Sequence, residues 1–379
     1  MIRDAHTIPP DARAVLTIDL SALRANWRAL NVASGKAECA GVIKADAYGL
    51  GIDEIAHALA AEGCCTFFVA TLTEARIVRM ANPGARIFVL DGLLPGAAPS
   101  YTGFDLCPCL SSLEEVREWA AWCDATGRRL RAAIHLDTGM HRLGLSRADV
   151  EQLAGPERAL FAKFDLALVM SHLACADVPG HPMNAAQLAR FQALRAMLPP
   201  APASLANSGG VFLGPDFHFD LVRPGIALYG GRALEGHPNP MRWVVRLQAR
   251  ILQIRHVAAG ESIGYGATFQ AGRDSRVATL ACGYADGFLR ALSSPTGHPG
   301  PVGHIGEQPV PVVGRVSMDL ITVDVTDVPE REACRGAWVE VLGARTTIDD
   351  LTDRAGTIGY ELLTRLGRRV HRIYAEGTT

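Results

Sequence analysis

Apolar residues along the first two-thirds of the chain fall into two alternating patterns, helical spacing and short continuous runs. Leu20, Leu23, Trp27 and Leu30 share one helical face behind Asp19, which can cap that helix, and Gly35 stops it. The apolar run Cys39 to Ile43 follows as a strand. The alternation then predicts a helix around Ile52 to Leu59 closed by Gly63, a strand at Thr66 to Val69, a helix around Glu74 to Met80 and a strand at Arg86 to Leu90. Further strands are expected at Phe104 to Cys107, Leu130 to Leu136, Leu166 to Met170, Ala203 to Ala206 and Phe217 to Leu221. Ser111-Ser112 with Glu114-Glu115 has the form of a capping box. About eight strands between Cys39 and Val222, separated mostly by helix-length segments, are the signature of a closed (β/α)8 barrel of the TIM type. A doubly wound open sheet fits less well: no GxGxxG turn follows the first strand, and no Walker-type GxxxxGK[ST] occurs.

Past about Arg242 the pattern changes. Val245, Leu247, Ala249 and Ile251 alternate with polar residues, and Val277 to Cys282, Val310 to Val325 and Trp338 to Leu342 are β-rich runs separated by Gly and Pro. Only Ile348 to Ala355 and Tyr360 to Leu366 read as short helices there. The expected organisation is therefore an α/β barrel over residues 12–243 and a mostly-β C-terminal domain over 244–379. Residues 1–18, through the short strand Ala14 to Ile18, are expected to pair with the second domain.

Composition narrows the partners. The chain has 379 residues, 49% hydrophobic and 20% charged, enough to bury a sizeable core in two domains. A net charge of -2 and no basic run argue against nucleic acid or an anionic membrane, and for a small-molecule partner. Met1 to Asp11 carries Pro9, Pro10 and charges but no apolar core of signal-peptide length, and no later run approaches membrane-spanning length, so a cytoplasmic protein is expected. The nine Cys show no metal-type spacing: Cys64-Cys65 are adjacent and Cys107-Pro108-Cys109 has one residue between. They read as reduced, mostly buried thiols, and no metal site is expected.

A barrel of this type carries its chemistry immediately after its strands. Lys44 ends the first strand, where partial desolvation lowers an amine's pKa and makes it competent as a Schiff-base nucleophile or a proton-transfer base. Alone, it reads equally well as a lysine snorkelling from the rim. Asp137-Thr138-Gly139-Met140-His141-Arg142-Leu143-Gly144 follows the fifth strand, Ser171-His172 the sixth, Asn207-Ser208-Gly209-Gly210 the seventh and Arg223-Pro224-Gly225-Ile226 the eighth. Small residues in the last two loops let backbone N–H groups approach a phosphate. Each loop alone is more simply a turn or a surface polar group; together on one rim they point to a single site.

Lys44-Ala45-Asp46-Ala47-Tyr48-Gly49, taken with these loops, resembles the pyridoxal-phosphate motif set of alanine racemases, in type and order, from about Arg13 to Tyr374. The resemblance implies that Lys44 binds pyridoxal 5'-phosphate covalently and that Tyr48, Asn207, Ser208, Gly225 and Ile226 bind its phosphate. It places Arg142 beside the cofactor's phenolic oxygen and the substrate carboxylate, and His172 against the cofactor, linked to an Arg223 that faces the ring nitrogen. In the second domain, Ile263-Gly264-Tyr265-Gly266 resembles the segment with the second catalytic base, Cys282-Gly283-Tyr284-Ala285-Asp286-Gly287 a substrate-access segment, and Gly314-Arg315-Val316-Ser317-Met318-Asp319 a substrate-carboxylate loop. By residue type alone, Tyr265 and Tyr284 are ordinary sheet aromatics beside glycines. The implied reaction is racemisation of L- and D-alanine by two bases on opposite faces of Cα, Lys44 and Tyr265, with Tyr284, Met318 and Asp319 binding substrate. The resemblance is compatible with supply of D-alanine as a peptidoglycan precursor and equally with alanine catabolism, and it implies a head-to-tail homodimer in which Lys44 of one chain faces Tyr265 of the other. The short linker Asn239 to Arg246 favours the same arrangement.

Two positions depart from the family pattern. Many members have a lysine, often carbamylated, where this chain has His135, and some bind the phosphate with a tyrosine where this chain has Arg368. Three alternatives stand beside alanine racemisation. A racemase of broader specificity, for serine as an example, would share every motif. A decarboxylase of basic amino acids would carry a cysteine-aspartate motif in the β domain, which is absent. A non-enzymatic pyridoxal-phosphate-binding protein would have no use for Tyr265 or Met318-Asp319.

Overall fold

The computed structural model describes residues 8–377, so the part of the expected N-terminal pairing that falls on residues 1–7 lies outside the described residues. The chain divides into two compact units: Arg24–Leu228 with Arg232–Pro240, and residues 8–23 with Tyr229–Gly231 and residues 241–377. Strand β1 (Ala14–Asp19) runs directly into helix α1 (Leu20–Ala33). Asp19 caps that helix, its carboxylate accepting the Ala22 N–H at 2.9 Å, and Gly35 ends it in the left-handed region at φ 64°.

The first unit is the barrel. Its first strand is made of two short pieces, β2 (Glu38–Cys39) and β3 (Gly41–Val42). Next to β3 come β4 (Thr66–Val69), β5 (Arg86–Val89), β6 (Cys107–Leu110), β7 (Arg131–His135), β8 (Asp165–Met170) and β9 (Ala203–Ser204), each parallel to the one before. The last strand, β10 (Leu221–Val222), pairs with β2. The amides of Asp220 and Arg223 donate to the carbonyls of Ala203 and Ala206 at 3.1 and 2.9 Å, so β10 also joins β9 and the sheet closes. Inside, the Phe68 and Phe88 rings stack at 4.8 Å, and Ile134, Val169 and Leu205 have no exposed surface.

Two strand expectations are corrected. Phe104 ends the helix Ala98–Gly103 and Asp105 has φ 49°, so the fourth barrel strand begins only at Cys107. Phe217 closes a 3-10 turn and Phe219 has φ 51°, so the eighth begins only at Leu221. A residue in the left-handed region cannot belong to an extended ladder, and apolar side chains alone do not reveal it. The Ser112 cap forms, accepting the Glu115 N–H at 3.2 Å. The Glu115 carboxylate, however, takes the N–H groups of Ser111 and Leu93 instead of closing the box on Ser112.

In the second unit, β11 (Val245–Val257) is the long central strand of an eight-stranded sheet. Val245, Leu247, Ala249 and Ile251 are buried, as their alternation predicts. β11 pairs antiparallel with β1, with Ser275–Leu280 and with Trp338–Leu342, and β1 pairs in parallel with His371–Ala375. The run expected over Val310 to Val325 divides. Gln308–Pro311 and Ile321–Asp324 are strands, whereas Gly314, at φ 77°, opens a loop between them. Helices Ile348–Ala355 and Gly359–Arg365 lie where helical spacing puts them. Cys39, Cys64, Cys107, Cys109, Cys123 and Cys282 are buried free thiols. No helix among the described residues is long and apolar enough to cross a membrane.

Asp19→Ala should lower stability by about 1 kcal/mol in urea unfolding, while Asp19→Asn, an equally good cap, retains most of it. Equal loss in both variants would show that the cap bond contributes nothing.

Candidate active site

Lys44 leaves the end of β3 into a turn with unusual backbone. Ala45, Asp46, Ala47 and Tyr48 are all left-handed, with φ between 52° and 56°, and Gly49 follows at 82°. The sequence expectation here was simply a glycine-containing loop. A left-handed run costs about 1–2 kcal/mol per residue, and several bonds hold it. Ala47 donates to the Ile43 carbonyl at 2.9 Å and Gly49 to Ala45 at 2.7 Å. The Glu74 carboxylate accepts from Asp46 N–H at 3.3 Å, and the Asp46 carboxylate accepts from Ile52 N–H at 3.0 Å. The turn buries Tyr48 and brings its hydroxyl against Gly225, where a Cβ would collide with it.

The loops after β9 and β10 are joined by a hydroxyl. Ser208 Oγ accepts the N–H of Gly225 at 2.8 Å and of Ala227 at 3.3 Å, so its own O–H remains as a donor. Asn207 caps the turn through the Gly210 N–H at 3.0 Å. Gly209 has no room for a side chain, because a Cβ there would lie 2.6 Å from the Ala176 carbonyl oxygen. Ile226 is buried behind the loop.

Arg223 is 4% exposed. It donates to the Ser171 carbonyl at 2.6 Å and to Ser204 Oγ, and its guanidinium carbon stands 5.7 Å from the Phe68 ring centre. Burial pushes its pKa down to about 10, so it remains charged at neutral pH. That charge acts on its neighbours. His172 is held well below the usual imidazole range, first by burial and then by Arg223, Arg142, Lys44 and His135. His135, paired with Ser111 at 3.3 Å, is pushed down to about 4 by burial and then by Arg223 and Arg142. Lys44 is lowered by burial first and by Arg142 next, while Asp91 and Glu74 oppose the shift. Both histidines are therefore neutral around pH 7, and the lysine amine is easier to deprotonate than in water.

Nine expected residues, Lys44, Tyr48, Arg142, His172, Asn207, Ser208, Arg223, Gly225 and Ile226, thus lie in the barrel unit, all after barrel strands. Arg142 is exposed on its loop, which is anchored by Asp137: that carboxylate accepts the N–H of Gly139 at 2.9 Å and of His141 at 3.1 Å. Sequence reading missed Gln187, which is fully buried and ties this loop to its neighbour, donating to Thr138 Oγ1 at 3.0 Å and to the His172 carbonyl at 2.8 Å. It also missed Ser204, Ser111, Glu74 and Asp91. Burial distinguishes Ser204 and Ser111 from surface polar residues, whereas half-buried Glu74 and exposed Asp91 are marked only by what the fold brings near them, the Asp46 amide and the Lys44 amine.

Tyr265, Tyr284, Met318 and Asp319 lie in the second unit. Tyr265 is 71% exposed at a 3-10 turn, and the Arg315 guanidinium packs on the following Gly266. The Tyr284 and Met318 loops are laced by backbone: Tyr284 donates to the Ser317 carbonyl at 3.0 Å and Ala285 to Met318 at 2.9 Å. Arg368 is exposed near the C-terminus.

The sequence matches the alanine racemase N-terminal domain over residues 18–233 and the alanine racemase C-terminal domain over residues 244–374. It is 50% identical to an alanine racemase of Rhizobium meliloti, covering 97% of this chain and 98% of that one. It is 51% identical to an alanine racemase of Methylobacterium sp., over 98% and 99% of the two chains. The crystal structure of alanine racemase from Bartonella henselae, with covalently bound pyridoxal phosphate, superposes with a TM-score of 0.90 at 40% identity, over 96% of this chain and all of that one. With both halves matched in order and near-full coverage on either side, the chain belongs to the alanine racemase family.

Proposed function

We propose that this protein interconverts L- and D-alanine with pyridoxal 5'-phosphate held on the barrel rim, Lys44 and Tyr265 acting as the two bases. The observation that carries the reading is the meeting of the Lys44–Tyr48 turn with the loops after β9 and β10, where the Tyr48 hydroxyl lies against Gly225 and Ser208 accepts the Gly225 amide. The residues fit the group. Ser208 O–H, the loop amides and Tyr48 are suited to a phosphate, and the space at Gly225 and Gly209 admits backbone alone. Arg142, His172 and Arg223 would surround the ring. When bound, the cofactor supplies electron withdrawal that acidifies the Cα–H of an amino acid joined to it.

The chain's own groups then divide the work. Lys44 Nζ, with its lowered proton affinity, attaches the cofactor and moves a proton on one face of Cα, and Tyr265 Oη does so on the other. Arg223 donates hydrogen bonds without surrendering its proton. Neutral His172 adds no positive charge beside it. Tyr284, Met318 and Asp319 would contact the substrate. A broader racemase reading has no separate observation in its favour. We also infer a barrel domain over about 12–243, a β domain over 244–379, a cytoplasmic homodimer with sites shared between chains, and a role in supplying D-alanine as a peptidoglycan precursor. The linker Asn239 to Arg246 supports the sharing.

Borohydride reduction of the purified protein should fix the cofactor to the peptide containing Lys44, and Lys44→Ala should lose racemase activity by about a thousandfold or more in chiral chromatography of L-alanine incubations. Labelling at Lys36 or Lys163 would sink the assignment. Lys44→Ala and Tyr265→Phe homodimers should each be nearly inactive, yet mixed dimers hold one site with neither lesion and should regain activity. Heterodimers confirmed by mass but still inactive would place both bases in one chain.

His135 also predicts a pH dependence. Its folded pKa of about 4 lies below the ordinary value of 6.5, so the unfolded chain binds more protons between those values. Stability is fully present above pH 6.5 and falls as pH drops toward 4, by roughly 3 kcal/mol. His135→Gln should flatten the urea-midpoint profile of the holoenzyme across that window, and an unchanged slope would contradict the buried neutral state.

A further inference from the structure

We propose that Arg369 is a positioning residue for substrate binding, a clasp that joins two loops of the β domain and occupies the carboxylate of Asp319. Resting as it does on the proposed racemase reading, the inference adds a residue that the reading does not use. Three segments meet here. Arg369 Nη2 stands 2.7 Å from Asp319 Oδ1, and its Nε stands 3.3 Å from Asp286 Oδ1. Asp286 is almost fully buried and accepts the Gly283 N–H at 3.0 Å with its other oxygen. One guanidinium therefore spans the Tyr284 loop and the Met318-Asp319 loop, each through a carboxylate.

The backbone around it is already close-packed. A Cβ at Gly283 would strike the carbonyl oxygens of Ser317 and Met318 and the amide of Asp319. Gly367 donates to the Asp286 carbonyl at 3.1 Å, and Arg13 donates to the Asp319 carbonyl at 3.0 Å. These bonds do not involve the Arg369 side chain, so they hold the loops near their places without it. What the side chain adds is charge and fine orientation. A free Asp319 carboxylate would repel the carboxylate of an amino-acid substrate brought to the same loop. Arg369 engages that oxygen at 2.7 Å and offsets its charge. At 43% exposure the pair is screened by salt, so its influence should appear in binding more than in folding.

The test uses the holoenzyme with Arg369→Gln and Arg369→Lys. Arg369→Gln should raise KM for both alanine enantiomers by about fivefold at low salt, with kcat within about twofold of the parent. The gap should narrow as salt is added, and Arg369→Lys should recover most of it. Hydrogen exchange should quicken in residues 283–287 and 317–320, with the melting temperature little changed. An unchanged KM overturns the proposal, as does a parallel loss of kcat and thermal stability or unaltered exchange in the two loops. If the parent protein fails to racemise alanine, the racemase reading and the substrate part of this inference fall together. The clasp is then judged by exchange alone, and unaltered exchange overturns it as well.

Discussion

Arg223 carries a positive charge into the mouth of the barrel, and the chemistry of the rim is arranged around that charge. Its position is set by backbone pairing: the Arg223 amide donates to Ala206, and the guanidinium is then met by the Ser171 carbonyl, the Ser204 hydroxyl and the Phe68 face. Carbonyl and hydroxyl oxygens satisfy its donors without cancelling its charge. The field therefore remains available to the groups nearby. Burial first, and this field second, keep His135 and His172 neutral; on Lys44, lowered mainly by burial and Arg142, Arg223 adds a smaller push in the same direction. Replacing Ser204 by a carboxylate would satisfy the same donor but offset the charge, a difference that counting hydrogen bonds would not reveal.

The left-handed turn after Lys44 is the second constraint, and it opposes the first in kind. Four consecutive residues with side chains occupy a region that disfavours them, at about 1–2 kcal/mol each. The return is a chain path that leaves Lys44 at the rim while bringing Tyr48 back over Gly225. Glu74 and Asp46 hold the path by accepting backbone N–H groups that no regular helix would satisfy. Strain of this sort survives where surrounding bonds over-determine the geometry. The β domain organises its own edge differently. There the Tyr284 and Met318 loops are set by glycine and backbone bonds, and exposed charge is added afterwards.

Eight strand-forming runs alternating with helical spacing identify a barrel because period and length are local properties of the chain, written in residue type. Lys44, Arg142, His172 and Arg223 could be found as candidates for the same reason: each follows a strand, and barrel chemistry sits after strands. The placement of the fourth and eighth strands was misread at Phe104 and Phe217, where positive φ at Asp105 and Phe219 interrupts an apolar run. Gln187, Ser204 and Glu74 could not be told from ordinary surface polar residues, since the role of the first two depends on burial and that of all three on partners far away in sequence.

By itself, then, the sequence determined the fold class, the change to a β domain and the identity of the residues carrying charge or nucleophile. Those follow from local pattern and side-chain chemistry. Tertiary structure alone decided which histidines are neutral, how far the Lys44 amine is shifted, that Tyr48 meets Gly225, and that Arg369 joins Asp286 to Asp319. Each of these depends on distance and desolvation between groups tens to hundreds of residues apart in sequence, and neither quantity exists until the chain has folded.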